Sequence, residues 1–205
     1  MKKITLITAL ALLSITTISC KTDIKKEGNS STEKSYSVEP RTTKISFTAY
    51  KTTEKIGVEG QFTKVNFNNI KKSITPREAL NGTEFSIPIS SLFTNNEDRD
   101  SKIMKLFFGV MDNTELLSGN IKLTSDTEGI ATIKMNNITE SFPVKYTLNG
   151  KMASFTGVLN VEDWNAQAAL ESLNIACFDL HKGADGISKT WSEVKIDIIT
   201  YLKVQ

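Results

Sequence analysis

A chain of 205 residues with 39% hydrophobic residues is long enough for one domain with a sizeable core, and 25 basic against 23 acidic residues give a formal charge of only +2. That balance leaves no basic excess for a nucleic-acid partner. One histidine and two cysteines exclude a multi-histidine metal site and a cysteine-rich zinc site.

Lys2 and Lys3 form a basic opening, and residues 4–18 are mostly apolar but too short for a tilted membrane-spanning helix. Ser19-Cys20 then places a small residue before a cysteine. This is the pattern of a bacterial lipoprotein signal, with residues 1–19 removed and Cys20 acylated as the lipid anchor. Thr17 stands where such signals usually carry Leu, and the alternative is an ordinary secretory signal in which Cys20 is incidental. Loss of Lys2 and Lys3 leaves 23 basic and 23 acidic residues, an electroneutral chain. With Cys20 acylated, Cys177 has no disulfide partner. Residues 20–35 are polar and lack any apolar period, so they are expected to form a flexible lipidated tether to a domain at 36–205. Lys21 in place of the Asp that retains some lipoproteins at the inner membrane favours the outer membrane of the cell envelope, on its periplasmic or surface face.

From residue 44 the pattern alternates, with Ile45, Phe47 and Ala49 on one face and Lys44, Ser46 and Thr48 on the other, which predicts a half-buried strand. Apolar parity changes between Phe62 and Val65, predicting a bulge near Thr63-Lys64. Phe85, Ile87 and Ile89 make a third strand, with Pro88 marking an edge or a bulge. Residues 117–124, 129–136, 141–148 and 153–161 follow as a meander, parted by turn-like segments including Asn136-Asn137 and Asn149-Gly150. Two stretches change period. In 99–108, Ile103 with Phe107 and Met104 with Phe108 stand at i,i+4 behind the cap-rich Asn95-Asn96-Glu97-Asp98. In 163–173, Ala166, Ala169, Leu170 and Leu173 share a helical face, with Asp163 placed to cap. Strands at 174–181 and 191–202 close the chain. The expected fold is mainly β, an antiparallel barrel of about eight strands with two short helices, since closure removes exposed edges.

Particular runs carry a resemblance. They are Tyr36, Lys44-Ile-Ser-Phe-Thr-Ala-Tyr50, Val58-Glu-Gly-Gln-Phe62, and Phe85-Ser-Ile-Pro-Ile-Ser-Ser-Leu92 leading into Asn96-Glu-Asp-Arg-Asp100 and the helix after it. With residues 160–173 and Thr190-Trp-Ser-Glu-Val194, they resemble the YceI-like family over about 36–202. The resemblance implies a lipocalin-like barrel that binds polyisoprenoid or another long-chain lipid. Two departures stand out: Thr43-Lys44 replaces an early histidine common in relatives, and residues 113–117 replace a tyrosine-proline pair.

The inward set expected to bind ligand is Ile45, Phe47 and Phe62, then Phe85, Ile87, Phe107 and Phe108, then Leu123, Phe142, Tyr146 and Phe155. Ten phenylalanines against two tryptophans suit an apolar chain, because phenyl rings offer area without a polar group to satisfy. The same residues also fit a filled core; it is the resemblance that implies a cavity. Three or four buried isoprene units would contribute on the order of 10 kcal/mol before association entropy is subtracted. The expected function is non-enzymatic binding or carriage of a long-chain apolar lipid, without cofactor or metal, with residues 99–108 as a flap at the barrel mouth. The alternative is a surface or periplasmic interaction lipoprotein with a filled core. For catalysis, Cys177 and His181 on the expected strand would lie about 13 Å apart, too far for base activation. Glu97, Asp98 and Asp100 lack the glycine and distal glutamate of a calcium loop and read as a solvated helix start. Glu162-Asp163 reads as capping.

Overall fold

The computed structural model describes residues 34–205, so the expected signal, Cys20 and all but the end of the tether lie outside the described residues. Alternating side chains form β1 (Tyr36–Lys51), β2 (Ile56–Phe62), β3 (Asn66–Asn68), β4 (Thr83–Pro88) and β5 (Leu92–Phe93). They continue in β6 (Leu116–Leu123), β7 (Glu128–Met135), β8 (Ile138–Asn149), β9 (Met152–Asn160) and β10 (Thr190–Val204). The antiparallel order is β3-β4-β6-β7-β8-β9-β10-β1-β2-β5.

The two ends of that order meet. β2 and β3 are halves of one bent strand, parted at residues 63–65 where the sequence predicts a bulge, and β4 and β5 are halves of another, parted by a 3-10 turn at Ile89–Ser91. β3 pairs with β4 through Phe67 and Phe85, while β2 pairs with β5 through Phe62 and Leu92. Between the two ladders the Thr63 N–H donates to the Ser91 carbonyl at 2.8 Å. The sheet therefore curls onto itself along a short seam as eight strand paths, each beside its neighbours in sequence, with β10 against β1. Asn136 and Asn137 both take positive φ, at 52° and 57°, forming the two-residue turn that joins β7 to β8.

Register defines two ends of the barrel. At the end where Tyr36 pairs with Val204, helix α1 (Pro76–Leu80) is capped by the Thr75 side chain and buries Ala79 and Leu80. Its short Thr-Pro start is a helix signal that the strand-by-strand reading passes over. At the opposite end lie α2 (Glu97–Lys102) and α3 (Gln167–Ala176).

Three sequence expectations change here. The strand expected at 174–181 is helical, continuing α3 and ending in a 3-10 turn at Phe178–Leu180. β10 already pairs with β9 on one side and β1 on the other, which leaves no slot for another strand between them. Asp163 caps nothing; the Asn160 side chain accepts from the Glu162 N–H at 3.1 Å over a 3-10 turn at Val161–Trp164. Asn165 then turns the chain at φ 55°, where a short polar side chain is tolerated. The helix expected at 99–108 starts earlier, because Asn96 accepts from the Arg99 N–H at 2.9 Å, and it widens into a π-helical turn at Ile103–Phe107.

Candidate functional site

Between the inner face of the β sheet and the helical segments after α2 and in α3 lies a partly open cavity of about 160 Å³. Its wall includes nine of the eleven residues expected from sequence: Ile45, Phe47, Phe62, Phe85, Ile87, Phe107, Phe108, Phe142 and Phe155. Leu123 and Tyr146 point inward but lie in the solid core toward the α1 end, off the cavity wall. Tyr146 stacks on Phe155 at 5.6 Å between ring centroids and donates its hydroxyl to the Ser125 carbonyl at 2.8 Å, a partner available only near the β6–β7 turn.

The inward face of β10, Val194, Ile196 and Ile198, also lines the cavity, although its alternation with Glu193, Lys195 and Asp197 was visible in the sequence. Ile103, Leu170 and Leu173 reach the wall from the helical segments. Those positions required knowing which way each helix lies across the barrel, which periodicity alone does not give.

Glycines seat the rings against the wall. Gly60 faces Phe47 across the β1–β2 ladder, and a Cβ on Gly60 would come within 2.3 Å of the Phe47 ring. Gly119 faces Phe85 in the same way, with a Cβ 3.0 Å from that ring. The rings therefore lie over backbone rather than across the lumen.

No charged side chain lines the cavity, and its four nitrogen- or hydroxyl-bearing side chains are already engaged. Thr156 donates to Asp197 at 2.8 Å, Trp164 to the Ile133 carbonyl at 3.0 Å, and Trp191 to the Thr52 carbonyl at 2.7 Å. Thr190 donates to Asn174 Oδ1 at 2.9 Å. The wall offers a guest apolar surface and almost no hydrogen-bonding demand, which suits a hydrocarbon.

His181 stands behind Thr190, its Nδ1 2.7 Å from Thr190 Oγ1. Since the Thr190 proton goes to Asn174, the His181 Nδ1–H must be the donor in that contact. Burial, and then the nearby Lys51 cation, hold the imidazole below its ordinary 6.5. The unfolded chain therefore takes up this proton first, and stability is expected to fall as pH drops below about 6.5. His181→Gln should flatten the pH dependence between that value and the folded-state pKa, read by urea midpoints; an unchanged slope would remove His181 from the account.

Cys177 and His181 sit four apart on a helical turn, not along a strand, and the His181 N–H donates to the Cys177 carbonyl at 2.9 Å. Cys177 is buried, and burial is the main cause raising its thiol pKa, so it stays protonated at neutral pH. This is the state of a packed thiol rather than an activated nucleophile. Among the described residues no group of three or more His, Cys, Asp or Glu side chains could hold a metal ion.

The acidic helix start is only partly solvated. Asp98 pairs with Lys102 at 2.7 Å on the surface, but Asp100 is buried. Asp100 accepts from the Thr94 N–H at 2.8 Å and from the Thr94 hydroxyl, while Arg99 donates to the Thr94 hydroxyl and carbonyl at 2.8 and 2.7 Å. This clamp fixes the end of β5 to α2, and so sets where the helical segment lies over the barrel. Asp100→Asn is expected to cost about 2 kcal/mol, because a neutral amide must replace a charged double acceptor. Denaturant unfolding would measure it, and a loss below about 0.5 kcal/mol would mean the clamp is dispensable.

The YceI-like domain family model matches residues 36–200. A polyisoprenoid-binding domain from Saccharophagus degradans implicated in plant cell wall breakdown is similar in structure, with TM-score 0.59 and 12% identity over 83% of this chain and 98% of that one. Two further solved structures are similar at lower scores. BcnA of Burkholderia cenocepacia has TM-score 0.48 and 15% identity over 81% of this chain and 99% of that one. A YceI protein of Campylobacter jejuni has TM-score 0.45 and 13% identity, covering 72% and 85%. No curated protein sequence matches the chain. With the family model spanning the whole barrel, from the first residue of β1 into β10, the chain belongs to the YceI-like family.

Proposed function

We propose that this protein binds and carries a long-chain apolar lipid of the polyisoprenoid kind in the barrel interior, and catalyses no reaction on it. The observation that carries this reading is the cavity itself, whose polar side chains are already hydrogen-bonded within the protein. Similarity of fold to the Saccharophagus polyisoprenoid-binding domain supports the same reading. Residues 99–108 act as the flap: Ile103, Phe107 and Phe108 close over the cavity through a π-helical turn, a geometry found frequently at functional sites.

The carrier works at the cell envelope. Acylated Cys20 holds it at the outer membrane, and residues 21–35 give the barrel reach to a bilayer, at most roughly 50 Å when fully extended. The competing reading, an interaction lipoprotein with a filled core, is disfavoured by the open volume behind Phe47 and Phe142.

Titration with a fluorescent apolar probe, followed by displacement with an isoprenoid alcohol, tests this. Saturable uptake and stoichiometric displacement are expected. Phe142→Asp should weaken binding at least about tenfold, because it buries a charge against the chain. Failure of the unsubstituted protein to take up any apolar probe would reject the carrier reading in favour of the interaction reading.

A further inference from the structure

Charge is unevenly spread along the barrel axis, although the chain as a whole is nearly neutral. At the α1 end, residues 34–39, 69–82, 122–128, 147–152 and 201–205 carry seven basic and four acidic side chains. At the cavity end, residues 51–56, 94–115, 135–138 and 160–193 carry seven basic and twelve acidic ones. The α1 end is therefore positive by three and the cavity end negative by five, a separation that the fold creates, because the two sets interleave along the chain.

The positive end also presents apolar side chains to water. Ile70 and Ile74 are 41% and 64% exposed, and exposed Lys71 and Lys72 stand between them in the chain. Neither lysine is in an ion pair among the described residues, and Arg77 reaches only the exposed Asp126, at 3.7 Å. This loop is pinned where the described chain enters the barrel: the Tyr36 N–H donates to the Ser73 carbonyl at 2.7 Å, and the Ser73 N–H to the Tyr36 carbonyl at 3.0 Å. Lys34, its Nζ 5.9 Å from the Tyr36 ring centroid, adds a further cation beside it.

We propose that this end is a docking face for an anionic phospholipid bilayer, with Lys34, Lys71, Lys72 and Arg77 over the headgroups and Ile70 and Ile74 set into the interface. Opposite charge draws the face on, and apolar side chains among lysines hold it there. The chain before Lys34 joins the barrel at this end, so on the proposed anchoring at Cys20 the acyl chains arrive on the same side. The docking itself rests on the barrel's own residues and needs no acyl chain. The cavity end has exposed apolar residues too, among them Ile175, Phe178 and Ile187, but its acidic excess is repelled by the same bilayer. The cavity end then points away from the docked bilayer.

Sedimentation with vesicles tests this, using the chain without residues 1–19 and with Cys20→Ser, so that neither the apolar opening nor an acyl chain contributes. Every strand ladder lies within the part kept. The protein should bind vesicles of equal parts phosphatidylglycerol and phosphatidylcholine at least about tenfold more strongly than phosphatidylcholine alone, and less strongly in high salt. Lys71→Glu with Lys72→Glu should weaken binding about tenfold or more, and Ile74→Asp about fivefold. All three residues are exposed, so an unchanged urea midpoint is expected to accompany the loss. A polarity-sensitive fluorophore on Ile74→Cys should shift to the blue on these vesicles and one on Ile187→Cys should not, with Cys177 buried away from the label. A shift at Ile187 instead, or binding indifferent to the two lysines, overturns the docking face. Absence of vesicle binding overturns it as well and leaves the carrier and anchor readings standing, because those concern the interior and Cys20.

Discussion

Trp164→Ala should be the most damaging single truncation in the domain, lowering stability by about 4 kcal/mol. Trp164 is 1% exposed, one of the two largest fully buried side chains. It stands in the 3-10 turn between β9 and α3, with its indole N–H donating to the Ile133 carbonyl of β7 and its own carbonyl accepting from Asn136 at 2.8 Å. The ring thus joins the helical roof to the β7–β8 turn across the interior. Alanine would leave a cavity and remove the indole hydrogen bond to the Ile133 carbonyl together, and each adds to the loss. Urea or guanidinium unfolding of the two proteins gives the difference directly. A change below about 1 kcal/mol would show that the roof is held without it.

Gly119→Ala is expected to cost about 3 kcal/mol or more, although it adds one methyl group in a strand. A Cβ at Gly119 would sit 2.0 Å from the Thr132 carbonyl oxygen of β7 and 3.0 Å from the Phe85 ring of β4. The first neighbour is backbone in a ladder and the second a packed ring, so neither yields without moving a strand. Gly150→Ala is the matched control. Nothing lies within 4 Å of a Cβ there, and its φ of 61° limits the loss to about 1 kcal/mol of backbone strain. Equal losses at the two sites would mean that packing against Phe85 and Thr132 is not what requires glycine at 119.

The barrel was legible wherever alternation ran unbroken. Ile45-Phe47 in β1 and the four meander strands are local signals, since a half-buried strand writes its own period into the sequence. The parity change between Phe62 and Val65 even located the bend that lets β2 and β3 share one seam. The misreading at 174–181 has a different origin. Ile175, Phe178 and Leu180 are exposed apolar residues, and a short apolar run does not by itself distinguish strand from helix. What decides it is tertiary, the pairing of β10 with β9, which leaves that segment no ladder to join.

The site divides along the same line. Nine of eleven expected wall residues line the cavity because inward parity follows from alternation. Leu123 and Tyr146 share that parity but lie in the solid core toward the α1 end, and depth along the barrel axis depends on how far each strand is staggered against its neighbours. Asp100 departs from the solvated helix start expected of it for a comparable reason: its partner Thr94 lies on the far side of the Asn96 cap, where helix-start statistics do not look. The pairing of Phe47 with Gly60 and Phe85 with Gly119, which keeps the lumen open, is a register property with no signature in either strand alone.

Native mass spectrometry of the full-length protein, combined with organic extraction of whatever accompanies it, tests the central claim most directly. The account predicts one apolar molecule per chain, extractable into organic solvent and absent from Phe142→Asp. A ligand-free mass that takes up no isoprenoid probe would contradict it.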